Sequence, residues 1–132
     1  MIVQLRYVTL IVRDQDEALE WYTEKLGLEK RMDRPMGSDR WLTVGIKGQP
    51  YPEIILQKPS PEQYSAEVLG RKQRQIGENP TWVLIVDDCY KTVETLRGKG
   101  VKILEEPQDA GWAFSALIED LYGNTFALSQ PK

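Results

Sequence analysis

Two short apolar runs in the chain resemble each other and begin 74 positions apart, at residues 8 and 82. Val8 to Val12 and Trp82 to Val86 are rich in β-branched residues, and each run leads to an aspartate. A run of this length, bounded by polar residues, is typical of a buried β-strand. The similarity at one offset indicates that the chain contains two copies of one structural unit.

Each apolar run leads into an amphipathic helical pattern. Asp14 and Asp88 stand at the predicted N-caps, and Glu17 follows Asp14 at the spacing of a capping box. Gly27 and Gly100 end the patterns, because glycine readily adopts the left-handed conformation that closes a last helical turn. The predicted buried stripes are Leu19, Tyr22 and Leu26 in the first helix and Cys89, Val93 and Leu96 in the second.

Three strand-like segments follow each glycine and are separated by turn residues such as Pro35-Met36-Gly37-Ser38. The predicted strands are Leu28 to Arg31, Arg40 to Ile46 and Glu53 to Gln57 in the first half, and Val101 to Leu104, Trp112 to Glu119 and Thr125 to Ser129 in the second. We therefore predict one α+β domain made of two tandem βαβββ modules, residues 1–58 and 81–132. Residues 59–80 are polar and bounded by prolines, and we expect a linker with weak structure and some helical tendency around residues 62–69.

The two-residue period of the strands separates an apolar face from a mixed one. The apolar face, expected to pack under the helices, comprises Val8, Leu10, Val12, Leu42, Val44, Ile46, Ile54, Leu56, Trp82, Leu84, Val86, Phe126 and Leu128. One interpretation of the mixed face is exposure to water. Its residues Tyr7, Trp41, Ile55 and Val83 instead favour the wall of a small-molecule cavity. We expect a curved mixed sheet whose concave side holds a ligand.

Composition suits a soluble globular domain, with 132 residues of which 41% are hydrophobic and 28% charged. The 17 basic and 20 acidic residues give a net charge of −3, and the basic residues are scattered apart from Arg71, Lys72 and Arg74. This distribution indicates no nucleic-acid partner. The apolar runs reach only strand length and no charged-then-apolar leader is visible, so we expect neither a membrane span nor a signal peptide.

The chain contains one cysteine, Cys89, and no histidine. One thiol cannot form an internal disulfide, so we expect a cytoplasmic protein. We expect Cys89 to be a small buried residue, the alternative being a reactive thiol activated by its helix N-terminus. Histidine is the usual general base near neutral pH and the commonest ligand of catalytic metals, so its absence argues against many kinds of enzyme chemistry.

The order of these elements resembles the vicinal oxygen chelate superfamily, which contains glyoxalases, bleomycin resistance proteins and extradiol dioxygenases. The segment Trp21-Tyr22-Thr23-Glu24-Lys25-Leu26-Gly27 and the late turn Asp120-Leu121-Tyr122-Gly123-Asn124 carry the resemblance, which covers almost the whole chain apart from the linker. It implies a duplicated βαβββ fold. It leaves the activity open, because the superfamily includes isomerases, dioxygenases and drug-binding proteins without catalysis. Superfamily members are frequently homodimers, which implies a homodimer here.

The resemblance also implies where a metal site would lie. In metal-dependent members each module donates two ligands, usually histidine or glutamate, and the corresponding positions here are Tyr7, Ile55, Thr81 and Ala127. None is a histidine or a carboxylate, and two of them carry no donor atom. The nearby groups Glu53 and Tyr7 fall short of the three or four ligands that catalytic sites use. We therefore expect no metal and no cofactor.

The mixed face and its neighbours supply the candidate ligand-binding residues Tyr7, Trp41, Glu53, Ile55, Gln57, Thr81, Trp112, Phe114, Ala127 and Ser129. Trp41, Trp112 and Phe114 offer flat apolar surface, and the hydroxyl and amide groups offer directional hydrogen bonds. For Trp112 and Phe114 the pattern leaves cavity lining and core packing equally open. Arg40 either meets a ligand carboxylate or is exposed, and its alternation with Trp41 favours exposure.

The favoured hypothesis is a metal-free protein that binds a small organic molecule and sequesters a toxic or antibiotic-like compound. The first alternative is a lyase or isomerase with acid–base chemistry by Glu53 or Tyr7. Glu53 points toward the mixed face, but its position at a strand end, after Pro52, favours a solvated carboxylate. The second alternative is a protein-interaction or regulatory module whose concave face is closed by a partner chain.

Overall fold

The computed structural model describes residues 1–132 and contains eight strands and three helices. In chain order they are β1 (Tyr7–Ile11), α1 (Gln15–Glu24), β2 (Glu29–Met36), β3 (Asp39–Gly45), β4 (Glu53–Gln57), α2 (Ala66–Gln73), β5 (Trp82–Ile85), α3 (Cys89–Gly98), β6 (Lys102–Asp109), β7 (Ala113–Glu119) and β8 (Thr125–Pro131). The predicted α+β class and the two βαβββ patterns are confirmed. No helix is long and apolar enough to cross a membrane.

Each half of the chain forms a four-stranded mixed sheet. The strand order is β1-β4-β3-β2 in the first sheet and β5-β8-β7-β6 in the second. In both sheets the first strand runs parallel to the last, and the other pairs are antiparallel. This identical order confirms the duplication that the sequence offset indicates. The chain divides into two compact units, Met1–Ile76 (unit 1) and Gly77–Lys132 (unit 2).

The ends of α1 and α3 follow the predicted chemistry. The Asp14 carboxylate accepts a hydrogen bond from the Glu17 N–H over 2.9 Å, and the Asp88 carboxylate accepts one from the Lys91 N–H over 3.0 Å. Both aspartates are therefore N-caps that satisfy an otherwise unpaired helical donor. Beyond the helices, Gly27 and Gly100 have φ values of +74° and +84°. Side chains other than glycine are strained in this region.

The apolar face of each sheet packs under one helix. Helix α1 lies against β2, β3 and β4, and α3 lies against β6, β7 and β8. The buried residues of the predicted apolar register are Leu10, Val12, Leu42, Val44, Ile54, Leu56, Phe126 and Leu128. Its other members are partly exposed, namely Val8, Ile46, Trp82, Leu84 and Val86. The α3 stripe is buried as predicted. The α1 stripe is wrong in part, because the helix buries Ala18 and Trp21 beside Tyr22, whereas Leu19 and Leu26 remain partly exposed.

Strands β2 and β6 extend five residues beyond their predicted ends, and β8 extends two residues beyond its own. Strand β2 continues through Pro35 to Met36, so the turn contains only Gly37 and Ser38. Strand β6 similarly continues through Pro107 to Asp109. Both are edge strands. A proline is tolerated there because one row of backbone groups faces away from the sheet and makes no ladder hydrogen bond.

Residues 59–80 contain more regular structure than the linker that we expected, and the helix overlaps the helical tendency predicted around residues 62–69. They contain α2, whose N-cap Ser65 accepts a hydrogen bond from the Val68 N–H over 3.3 Å. The helix buries none of its own residues, which explains why no apolar period reveals it in the sequence. Residues up to Ile76 belong to unit 1. We call residues 59–76 the α2 segment.

Candidate functional site

The first sheet carries a cavity of about 250 Å³ on the face opposite α1. Thr9 and Ile55 are cross-strand neighbours in the parallel β1–β4 pair and both line the cavity. Trp41 of β3 and Gln57 of β4 line it beside them. The other lining residues are Met36, Asp39, Arg40, Lys58, Gln63, Tyr64 and Lys72. The structure thus brings together three predicted site residues of unit 1, namely Trp41, Ile55 and Gln57.

Tyr7 contacts the cavity wall without lining the cavity. Its ring lies edge-on to Trp41, with ring centres 5.3 Å apart and planes at 81°. The guanidinium of Arg6 lies 5.8 Å from the centre of the Tyr7 ring and 4.5 Å from that of Tyr51. An edge-on aromatic pair stabilises both rings by about 0.5–1.5 kcal/mol beyond area burial. Tyr7 is therefore placed to hold Trp41 in position.

The α2 segment supplies the remaining wall of the cavity. Gln57 Nε2 donates hydrogen bonds to the Tyr64 hydroxyl oxygen over 2.8 Å and to Gln63 Oε1 over 3.3 Å. The Lys72 Nζ lies 5.6 Å from the centre of the Tyr64 ring. Sequence reasoning missed Gln63, Tyr64 and Lys72 as site residues. The only available signal was an aromatic residue, Tyr64, inside an otherwise polar segment.

Arg40 is partly buried and paired, which corrects the expectation that it is exposed. Its guanidinium donates to Asp33 over 2.8 and 2.9 Å and to Asp16 over 2.7 Å. These hydrogen bonds to Asp33 and Asp16 raise the pKa of Arg40 above its ordinary value. The Gln15 side chain also donates to the Arg40 carbonyl oxygen. Arg40, Asp39 and Lys58 line a neighbouring cavity of about 510 Å³ as well.

Glu53 is buried, which corrects the expectation of a solvated carboxylate at a strand end. Only 9% of the residue is exposed, and Thr43 Oγ1 donates a hydrogen bond to Glu53 Oε1 over 2.7 Å. The same hydroxyl oxygen accepts from the Met32 N–H over 3.1 Å. Glu53 lies opposite Tyr7 in the β1–β4 register but does not line the cavity. The Thr43 hydroxyl thus connects a buried carboxylate to the sheet backbone.

Three of the predicted residues of unit 2, Thr81, Ala127 and Ser129, lie on or beside β5 and β8. Thr81 Oγ1 is 2.5 Å from Thr125 Oγ1, so the two hydroxyl groups share a hydrogen bond. In the β5–β8 register Ala127 lies opposite Val83 and Ser129 lies opposite Ile85. Ser129 is buried. Val83 and Ile85, on the same face of β5, are 61% and 69% exposed.

Trp112 and Phe114 fall at different places. Phe114 lies opposite Gln130 in the β7–β8 register, and its ring is 5.8 Å from Tyr90 of α3. It therefore lies on the helix-bearing face of the second sheet, the packing alternative of the two left open by the sequence. Trp112 precedes β7 and is 73% exposed, so it belongs to neither a core nor an enclosed cavity wall.

The side chains at the four positions implied by the family resemblance show whether these positions could bind a metal ion. Tyr7 and Ile55 lie in unit 1, and Thr81 and Ala127 lie in unit 2. Ile55 and Ala127 offer no donor atom, and neutral hydroxyl groups are poor ligands for zinc, iron or nickel. No group of three or more His, Cys, Asp or Glu residues is arranged to hold a metal ion. The residues at these positions do not fit a catalytic divalent metal.

Cys89 is buried at the start of α3. Its side chain is inaccessible, and its N–H donates to Gln130 Oε1 over 2.8 Å. Burial, reinforced by the charge of Asp88, raises the pKa of the Cys89 thiol. This environment is the opposite of the one that activates cysteine nucleophiles.

Comparisons with known proteins agree with this fold. The chain is 34% identical over 126 residues to the Bacillus subtilis (strain 168) protein YurT, covering 92% of this chain and 94% of YurT. The crystal structure of UcmS2 is 39% identical and superposes with a TM-score of 0.85, covering 98% of both chains. The crystal structure of TnmS3, described as an antibiotic binding protein from Streptomyces sp. CB03234, is 26% identical. It superposes with a TM-score of 0.79, covering 99% of this chain and 98% of TnmS3.

A family model matches nearly all of the chain, from residue 4 to residue 128. The matched segment includes both sheets, α1 and α3, and the α2 segment that completes the cavity. The chain belongs to the Glyoxalase/Bleomycin resistance protein/Dioxygenase superfamily.

Proposed function

We propose that the protein binds a small organic molecule of flat, partly aromatic shape in the cavity over the first sheet. The observation that carries this proposal is the composition of the cavity wall. Trp41, Ile55 and Met36 provide apolar surface, while Gln57 and Tyr64 provide directional polar groups. Aromatic and aliphatic surface beside convergent polar groups is a feature of small-molecule sites, and polar side chains make up the larger part of this lining.

The biological role that we propose is sequestration of a toxic or antibiotic-like compound. TnmS3 shares the fold and is described as an antibiotic binding protein. Binding of this kind requires neither a metal nor a cofactor, which suits the donor-poor positions Tyr7, Ile55, Thr81 and Ala127. We place this activity in the cytoplasm, as expected from the single cysteine.

A thermal-shift screen against flat aromatic antibiotics and small aromatic acids tests the proposal. A ligand present at about 100 times its dissociation constant stabilises the native state by about 2.7 kcal/mol, so the melting temperature rises further as the concentration of a true ligand increases. The same compounds are then titrated while tryptophan fluorescence is recorded. Absence of any shift across the screen contradicts the proposal.

Variants of Trp41 locate the site. We expect Trp41→Phe to retain most of the affinity and Trp41→Ala to lose about tenfold or more, because alanine removes the aromatic wall. Leu104→Ala provides a control, since Leu104 is exposed on β6 in unit 2. Equal affinity of Trp41→Ala and the control would place the ligand elsewhere.

A lyase or isomerase using Glu53 or Tyr7 is the second candidate function. The burial of Glu53 beside Thr43 favours it, because enclosed carboxylates serve as general acids or bases. Each compound that produces a thermal shift is incubated with the protein and analysed by mass spectrometry. Conversion that disappears in Glu53→Gln, a variant that keeps the hydrogen bond from Thr43, would support catalysis. Unchanged ligand supports binding alone.

We also propose that the protein forms a homodimer. Val83 and Ile85 are exposed on β5, and a second copy of the chain would remove them from water. Light scattering coupled to size-exclusion chromatography measures the mass directly. We expect about twice the chain mass for the native protein and dissociation for Ile85→Lys. A monomeric native protein would contradict this proposal.

A further inference from the structure

Two lysines line the cavity without a carboxylate partner. Lys72 is partly buried, and Lys58 is exposed at the cavity wall. Neither forms an ion pair. The third cation of the lining, Arg40, is instead held by the carboxylates of Asp16 and Asp33. The charge of Arg40 is therefore compensated, whereas the two lysine charges are not.

One carboxylate, that of Asp39, also lines the cavity and already accepts a hydrogen bond. Asp39 Oδ2 accepts a hydrogen bond from the Ser60 hydroxyl over 3.0 Å. Two uncompensated ammonium groups against one carboxylate leave the lining with a net positive charge. A concave wall of low dielectric strengthens such a charge relative to an open surface and attracts anions.

The cationic groups and the aromatic surface belong to the same cavity. Trp41 lines it from β3, and Lys72 reaches it from α2 beside the Tyr64 ring. We infer that the preferred ligands are flat aromatic anions, with the ring against Trp41 and a carboxylate directed at Lys72 and Lys58. This inference rests on the proposed function and deepens it by naming the class of ligand.

The lining also disfavours the opposite class of ligand. An aromatic cation would meet Lys72 and Lys58 at close range, and like-charge contacts oppose binding. A neutral aromatic compound would fill the apolar surface but leave the lysines without a new partner. We therefore expect the cavity to bind aromatic acids more tightly than neutral analogues of the same shape.

The test compares 2-naphthoate with 2-naphthamide, which have the same ring system and nearly the same size but differ in charge at neutral pH. Affinities are measured by calorimetry at about 50 mM and about 500 mM NaCl, because salt screens exposed ion pairs. We expect the native protein to prefer the carboxylate by about five- to tenfold at low salt. The preference should shrink at high salt.

Lysine variants assign the preference to this cavity. In the double variant Lys58→Gln, Lys72→Gln we expect the ratio of the 2-naphthoate affinity to the 2-naphthamide affinity to fall to about one. Lys91→Gln, at an exposed position of α3 in unit 2, should keep the native preference.

The outcomes separate this inference from the proposed function. Equal or tighter binding of 2-naphthamide by the native protein overturns the inference and leaves the proposed function standing. If neutral aromatic compounds bind but 2-naphthoate does not, the inference is likewise overturned and the proposed function stands. A preference that survives in the double variant also overturns the inference. Failure of every aromatic compound to bind overturns both proposals.

Discussion

The hydroxyl oxygen of Tyr64 accepts a 2.8 Å hydrogen bond from Gln57 Nε2, which ties the α2 segment to β4. The donor sits on the sheet and the acceptor on a segment that buries none of its helical residues. This bond and the neighbouring contact with Gln63 hold one wall of the cavity in place. The wall therefore depends on polar contacts more than on apolar packing.

Removal of the Tyr64 hydroxyl should loosen the α2 segment selectively. A single hydrogen bond of this kind contributes about 0.5–1.5 kcal/mol, so we expect Tyr64→Phe to increase amide hydrogen exchange in residues 66–73. Exchange in α1 should stay unchanged, because α1 packs on the opposite face of the sheet. Tyr90→Phe, at an exposed position of α3, is the matched control. Equal effects of both variants on α2 would contradict the assignment.

The turn between β7 and β8 should be sensitive to loss of Asn124. The buried Asn124 side chain donates to Asp120 Oδ2 over 2.9 Å and accepts from the Asn79 N–H over 3.0 Å. Asn124→Ala removes both side-chain hydrogen bonds from a buried position, so we expect the free energy of unfolding to fall by about 1–3 kcal/mol in urea denaturation. Asn79→Ala keeps its backbone N–H and should cost far less. Similar losses in both variants would refute this role for the Asn124 side chain.

Acid should weaken the contribution of Asp33. Its hydrogen bond to the Arg40 guanidinium lowers the pKa of the Asp33 carboxyl below its ordinary value. A carboxyl with a depressed native pKa stabilises the fold above its unfolded pKa of about 3.9, and this contribution is lost as pH falls through the native pKa. We expect Asp33→Asn to lose about 1 kcal/mol or less at neutral pH, with the difference decreasing as the pH falls below about 3.9.

Denaturation at several pH values measures the Asp33 contribution. Asp87→Asn serves as the control, because Asp87 is exposed and forms no ion pair. If the free energies of unfolding of the native protein and Asp33→Asn differ by the same amount at every pH, ionisation of Asp33 does not contribute to stability.

Cys89 should be unreactive in the native protein. Its thiol is inaccessible and its pKa is raised by burial, so reaction requires opening of the structure. We expect reaction with Ellman's reagent to be at least about 100-fold slower in buffer than in denaturant. The absorbance of the released thiolate gives both rates. Fast labelling without denaturant would contradict the burial of this side chain.

The elements that could be predicted from the sequence are those marked by a local pattern of residues. The bounds of β4 are those predicted, because residues 53–57 contain three consecutive apolar residues between two polar ones and are preceded by proline. The N-caps Asp14 and Asp88 are also those predicted, since capping involves residues only three positions apart. Strands β2 and β6 are longer than predicted. Each continues through a proline, which is tolerated because both are edge strands. The local sequence pattern does not show which strands lie at the edge of a sheet.

The candidate site could be predicted only in part, for a related reason. Trp41, Ile55 and Gln57 share a sheet face that the two-residue period identifies. Tyr64 and Lys72 reach the cavity because the chain folds back over the sheet, a long-range event with no periodic signal. Glu53 is buried because Thr43 on a neighbouring strand supplies its hydrogen bond, and that pairing appears only when the strands are assembled.

The α2 segment lies between β4 and β5 and is part of neither βαβββ pattern. Substitutions between Pro59 and Ile76 can therefore reshape one side of the cavity while both sheets and the helices packed beneath them keep their sequences. Ligand preference can therefore differ among related proteins with little change in the stability of the fold. Exchange of this short stretch between relatives offers a direct route to proteins with altered selectivity.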